Sequence, residues 1–326
     1  MRTLTLKIVV LLAVVLPLQF GIGYLIFPRD DKAMLTIVKG SMKKSDIVYM
    51  GDSVLSAFNH KDADQRPLPD LLSEKLGVHI VMLNHGGYHA GMYLDYLRYL
   101  VNANKAPSLL IVPINMRSFS PEWDTNPGHQ FEKQEFILKH GILAATFQKP
   151  ISLFTDSFKN NTNEAWLNSP VFDYDRPAGK VKDFQDKSYR NYDDAKMRNK
   201  IIYHYRYRLS ASHRRIQEIT TLVSIAKRNH IGLLLYITPI DYLACDRFYA
   251  GTSNIIKYNT KILNNTLSRY NVPLLDLSES IPSSYFDWRV DLYPNEHMNE
   301  HGKKYVASAL ADMIIKHKLI YTLSGN

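Results

Sequence analysis

The stretch DIVYMGDSV, Asp46 to Val54, runs through apolar, β-favouring residues and halts at a glycine. That is the pattern of a short strand buried on both faces and stopped at a turn. A serine stands two residues beyond the glycine, at the strand end where α/β proteins gather their chemistry. Outward from this point the pattern repeats: HIVMLN (His79 to Asn84), SLLIVPIN (Ser108 to Asn115), IGLLLYITP (Ile231 to Pro239) and VPLLDLS (Val272 to Ser278) read as further strands. Helical spacing lies between them, at Pro67 to Gly77, Gly91 to Asn104, Ser210 to Asn229, Asn254 to Arg269 and His301 to His317. Strands alternating with helices predict an α/β fold, a three-layer domain whose parallel sheet is flanked by helices. Parallel strands need crossover connections, and their two faces need cover.

The chain has 326 residues, 45% of them hydrophobic, enough to bury a core, which excludes a wholly disordered protein. Lysine and arginine total 40 against 31 acidic residues, a formal charge of +9 that permits contact with anionic lipid or a polyanion without requiring either. No nucleic-acid partner is expected. The single cysteine, Cys245, excludes a disulfide framework and a multi-cysteine metal site.

Ile8 to Phe27 carries no charge and as a helix reaches about 30 Å, which predicts one transmembrane helix over residues 8–27. Arg2 and Lys7 would hold a short cytoplasmic tail, residues 1–7, on the inner side. A connector over 28–45 and the domain at 46–326 would then lie outside the cytoplasmic membrane. A cleaved signal peptide is the rival, disfavoured by the length of the run. Residues 122–207 fit the strand–helix alternation poorly and read as a divergent insertion. Within it, YHYRYR (Tyr203 to Arg208) suits either contact with an anionic polymer or a partly exposed helix face.

Ser53, in GDSV, is a nucleophile only if a base removes its proton and donors hold the oxyanion formed on attack. The base is supplied at the far end of the chain, where NEHMNEHG (Asn295 to Gly302) places His297 in a loop before the last helix. His301 is its local competitor, better suited to a solvated helix start.

Together these blocks resemble the SGNH/GDSL hydrolase superfamily and, more loosely, its membrane-anchored members that modify cell-surface polymers. The resemblance spans about Asp46 to Ile315 and implies specific roles. Ser53 would be the nucleophile and its amide an oxyanion donor. In NHGG (Asn84 to Gly87), Gly86 would give a second amide, and in PINMR (Pro113 to Arg117), Asn115 a side-chain donor. His297, Asn299 and Gly302 match an HxNxxG pattern with His297 as the base. Each block has a plainer role open to it: a glycine turn at 86–87, a loop cap at Asn115. The acid departs from the family pattern, because the position three before the histidine is Pro294. Asp291 is the nearest upstream aspartate. Glu296, Asp287 or a serine–histidine dyad are the alternatives. In RSFSPEW, Arg117 and Trp123 are candidate substrate-binding residues on one wall of an acceptor pocket, with an internal salt bridge as the other reading of Arg117. His85 and His89 give only a weak metal pattern; no cofactor or metal is required.

The resemblance implies an enzyme: extracytoplasmic, serine-dependent O-acylation of a cell-envelope polysaccharide or polymer, with a carbohydrate or lipid esterase as the alternative. A noncatalytic envelope assembly or polymer-binding module is the third reading. The expected partners are an acyl donor, the envelope polymer, a membrane acyltransferase and membrane lipid.

Overall fold

The computed structural model describes residues 2–26, 31–38, 40, 42–44, 46–58, 62–125, 129–148, 194–286 and 296–320. Five strands form one sheet, β1 (Ile47–Gly51), β2 (Ile80–Asn84), β3 (Leu109–Ile114), β4 (Gly232–Ile237) and β5 (Leu274–Asp276), in the order β2-β1-β3-β4-β5. Every pairing is parallel. The expected strands are all present: β1 is shifted by one residue to end at Gly51, β2 loses only His79, and β3, β4 and β5 are trimmed at both ends. The chain leaves β1 for β2 on one side and returns to β3 on the other. The crevice beyond the C-terminal end of β1 is therefore the switch point at which open α/β sheets bind ligands.

Alternation within the strands builds two cores. From β1, Val48 and Met50 face one side while Ile47 and Tyr49 face the other. The first side is covered by α2 (Lys32–Val38), α5 (Ala90–Asn102), α9 (Arg214–Arg228) and α11 (Thr252–Leu267), through residues such as Met34, Leu97, Leu222 and Leu263. The second is covered by α4 (Leu68–Leu76) and α12 (Glu300–Lys316), through Leu72, Val306 and Leu310. Tyr49 and Tyr236, buried on that second face, satisfy each other's hydroxyls at 2.7 Å, as buried polar atoms must. The remaining helices are α1 (Arg2–Ile26), the single turn α3 (Ser53–Ser56), α6 (Pro121–Thr125), α7 (Glu132–Gln148, broken at Gly141), α8 (Asp194–Tyr205) and α10 (Tyr242–Phe248).

Part of the expected connector is structural. Asp31 caps α2 by accepting the Met34 amide at 3.0 Å and also takes the Tyr88 hydroxyl, which pins α2 to the segment before α5.

The expected transmembrane helix is corrected. Among the described residues, no helix is long and apolar enough to cross a membrane. The single-pass placement in the cytoplasmic membrane, with a large extracytoplasmic domain, rested on that helix and falls with it.

Within YHYRYR, Tyr205, Arg206 and Tyr207 are buried and Arg208 is exposed; Arg206 and Arg208 lie over the rings of Tyr249 and Tyr258 at 4.3 and 5.4 Å. Most of the expected insertion, including Val171 to Gly179, lies outside the described residues.

Candidate active site

Gly51 ends β1 paired with Asn84, and Tyr49 pairs with Ile111, so Ser53, Gly86 and Asn115 each follow the C-terminal end of one of three neighbouring parallel strands, β1, β2 and β3. Ser53 heads α3, whose cap is Asp52: one carboxylate oxygen accepts the Val54 amide at 2.9 Å. The Ser53 amide therefore lies in a first helical turn, where N–H groups have no intrahelical acceptor.

At the end of β2 the chain turns through His85 to Tyr88. Gly87 has φ +84°, and a Cβ there would meet the His129 ring at 2.7 Å, so the turn requires glycine at this position. Gly86 is exposed, with open space where a Cβ would go. Gly87 makes the turn, and Gly86 lies at its exposed edge.

Asn115 is both a cap and a candidate donor. Its Oδ1 accepts the Arg117 amide at 3.0 Å and the Arg117 Nε–H at 3.3 Å, which fixes the orientation of the side-chain amide. Its Nδ2 then donates to Asp52 at 2.8 Å, and an amide nitrogen has a second N–H to offer.

His297 arrives from the opposite end of the chain. An isolated antiparallel bridge joins Met298 to Phe286. Asn299 donates its amide to Tyr285 and its side-chain Nδ2 to Ser284. The Asn299 Oδ1 caps α12 by accepting from His301 and Gly302. At Gly302 a Cβ would stand 2.7 Å from the Tyr285 carbonyl oxygen and 2.8 Å from the Met298 Cβ. The HxNxxG spacing is thus a mounting: asparagine caps, glycine admits the neighbouring backbone, and His297 is left facing Ser53. Its Nε2 lies 2.9 Å from the Ser53 Oγ. His301 is exposed and rests beside the Tyr285 ring.

Of the acids considered, Asp291 and Asp287 lie outside the described residues. Glu296 is fully buried and turned into the fold, where its carboxylate accepts from Arg117 Nε at 3.2 Å, the Tyr205 hydroxyl at 3.1 Å and the Thr238 hydroxyl at 3.4 Å. Burial pushes its carboxyl up to about 7, opposed by Arg117 and reinforced by Asp52. Burial likewise raises Asp52, against the pull of the same guanidinium, whose Nη2 is 3.5 Å from it. Two buried carboxylates share one arginine, and desolvation favours a retained proton.

Arg117 and Trp123, expected on the wall of an acceptor pocket, are both buried. The Arg117 guanidinium is committed to Asp52, Asn115 and Glu296. Trp123 stacks on His129 at 4.1 Å and donates its indole N–H to the Gly87 carbonyl. Their contacts lie behind the site, not in an open pocket. Of the weak metal pair, His89 uses Nδ1 on the Gly91 amide and Arg215. The Asp52–Arg117–Glu296 unit was not foreseen as a unit. Its signal in sequence is faint: an acid beside each reacting residue, and an arginine two after the oxyanion asparagine.

Ser53 Oγ and His297 Nε2 stand in hydrogen-bond contact, the arrangement in which an imidazole can take a serine proton. No protein-family model matches the chain, and no curated protein matches it by sequence. Solved structures do resemble it. The lipase/acylhydrolase from Enterococcus faecalis is 12% identical, with a TM-score of 0.42 over 84% of this chain and 96% of that one. A GDSL-like lipase from Bacteroides thetaiotaomicron is 10% identical, with a TM-score of 0.42 over 88% and 98%. A catalytic mutant of an acetylxylan esterase from Geobacillus stearothermophilus is 11% identical, with a TM-score of 0.39 over 84% and 95%. None of these three is named as an acyltransferase. At such identities and scores, weight falls on the geometry of Ser53 and His297.

Proposed function

We propose that this chain is a serine-dependent O-acyl esterase. The observation that carries the proposal is the 2.9 Å contact between Ser53 Oγ and His297 Nε2, made across 244 residues of sequence. The distance suits proton transfer between the two. Ser53 Oγ attacks an ester carbonyl as its proton passes to His297. Negative charge on the carbonyl oxygen is held by the Ser53 and Gly86 amides and the second N–H of Asn115. Collapse of the tetrahedral adduct expels the alcohol, which leaves with the proton from the imidazolium. Water, deprotonated by His297, then attacks the acyl-serine and releases the acid. Asp291, near the histidine in sequence, is the acid we assign to orient the ring.

If the hydroxyl of a sugar replaces water in the second half, the same intermediate yields O-acyl transfer to a polysaccharide. Full-length protein incubated with p-nitrophenyl acetate should release nitrophenol, and Ser53→Ala should remove that activity. Added acetyl-acceptor glycan separates the two outcomes: acetate in solution marks the esterase, acetylated glycan the transferase. Wild-type protein that neither turns over acyl esters nor forms an acyl adduct would overturn both and leave the binding-module reading.

A further inference from the structure

The proposed chemistry uses Ser53, His297 and three donors, but the groups best buried lie one layer beneath them. Arg117 contacts Asn115 and the residue preceding each of Ser53 and His297. Its backbone amide and Nε orient Asn115, its Nη2 faces the carboxylate of Asp52, the residue that caps α3 and precedes Ser53, and its Nε meets Glu296, the residue before His297. Glu296 is in turn held by Tyr205 on α8 and by Thr238, just past β4. Thr238 falls level with Asn115 when the β3–β4 register is carried one residue on. Nucleophile, oxyanion donor and base come from three separate parts of the chain. One guanidinium joins Asn115 to the neighbours of the other two, Asp52 and Glu296.

We infer that Arg117 and Glu296 are positioning residues, whose ion pair sets the placement of His297 and Asn115 relative to Ser53. The inference rests on the esterase reading of that pair. An arginine suits the task where a lysine does not, because a planar fork bonds in several fixed directions while an ammonium is a point charge. The arrangement also has a cost. Breaking a buried ion pair strands a charge, so the contact is a demanding means of stability and a good means of registry.

The test uses full-length protein and a fluorophosphonate that phosphonylates the nucleophilic serine, scored by intact mass. Two quantities are read: the adducts per chain at saturation and the labelling rate. Loss of fold lowers the first, whereas misplacement lowers the second at full stoichiometry. For Glu296→Gln and Arg117→Lys we expect one adduct per chain formed about 10- to 100-fold more slowly, as a displacement near 1 Å produces. On p-nitrophenyl acetate, kcat should fall by a like factor with KM within about 3-fold. Should either variant label substoichiometrically, Tyr205→Phe, which removes one hydrogen bond to Glu296 and no charge, is read in its place, with about a 3-fold slower rate expected. Labelling at the wild-type rate and full stoichiometry in the variants so read would overturn the inference while leaving the esterase reading intact. A wild-type chain that never labels would defeat the esterase reading instead.

Discussion

Glu296 ordinarily titrates near 4.5 and in the fold is pushed up to about 7. A carboxyl raised in this way is favoured in its protonated form by the native state. Stability is therefore lost as pH climbs from about 4.5 through about 7, and the loss is complete above that. The upshift corresponds to an effect on the order of 3 kcal/mol. Asp52, raised in the same direction by burial, adds a slope of the same sign. Denaturant unfolding at pH 5 and pH 8 should show wild type less stable at the higher pH, with Glu296→Gln losing markedly less. Equal losses in the two proteins would mean that Glu296 does not titrate in this window. At this scale the sequence was legible where a residue's position follows from a strand end or a spaced motif, as for the meeting of Ser53 and His297. It was opaque where a role depends on the partner met after folding. Nothing in RSFSPEW separates an arginine aimed at substrate from one turned toward Glu296, and nothing in NEH shows that the glutamate turns inward.

At the scale of elements, the loop carrying His297 is held by the start of α12 and by the short 3-10 turn at Ser283–Tyr285. Gly302 lies where they touch. Alanine is the better helix former by about 1 kcal/mol, yet here its Cβ would press on a carbonyl oxygen and a neighbouring Cβ, neither of which can rotate away. Gly302→Ala should therefore lower unfolding stability by about 1–3 kcal/mol and reduce kcat/KM at least about 10-fold as the His297 loop shifts. A variant more stable than wild type, with unchanged kcat/KM, would show that the close approach is relieved at no cost. The five strands were readable because burial on both faces leaves an apolar run bounded by turn residues. Tyr205 and Tyr207 were not, because a run of alternating tyrosines and arginines reads as a half-exposed segment, and nothing in it shows that Arg206 is buried with them.

For the molecule as a whole, the order β2-β1-β3-β4-β5 accounts for the site. It puts the end of β1 at the reversal of the chain path, with Gly86 and Asn115 just past the ends of the flanking strands. The last helix then closes the second face of the sheet and delivers His297 to the same edge. The parallel sheet flanked by helices was legible from the spacing of strands and helices, whereas the strand order emerges only in the fold. The reading of the amino terminus as a membrane span was not sustained, since an apolar composition fixes neither the extent of a span nor its surroundings. The most direct test of the account is the site and rate of fluorophosphonate modification in native full-length protein, mapped by peptide mass in wild type and His297→Ala. The account predicts a single adduct on Ser53 that forms roughly 10²- to 10⁴-fold more slowly without the imidazole. An adduct on another residue, or an equal rate in the two proteins, would contradict it.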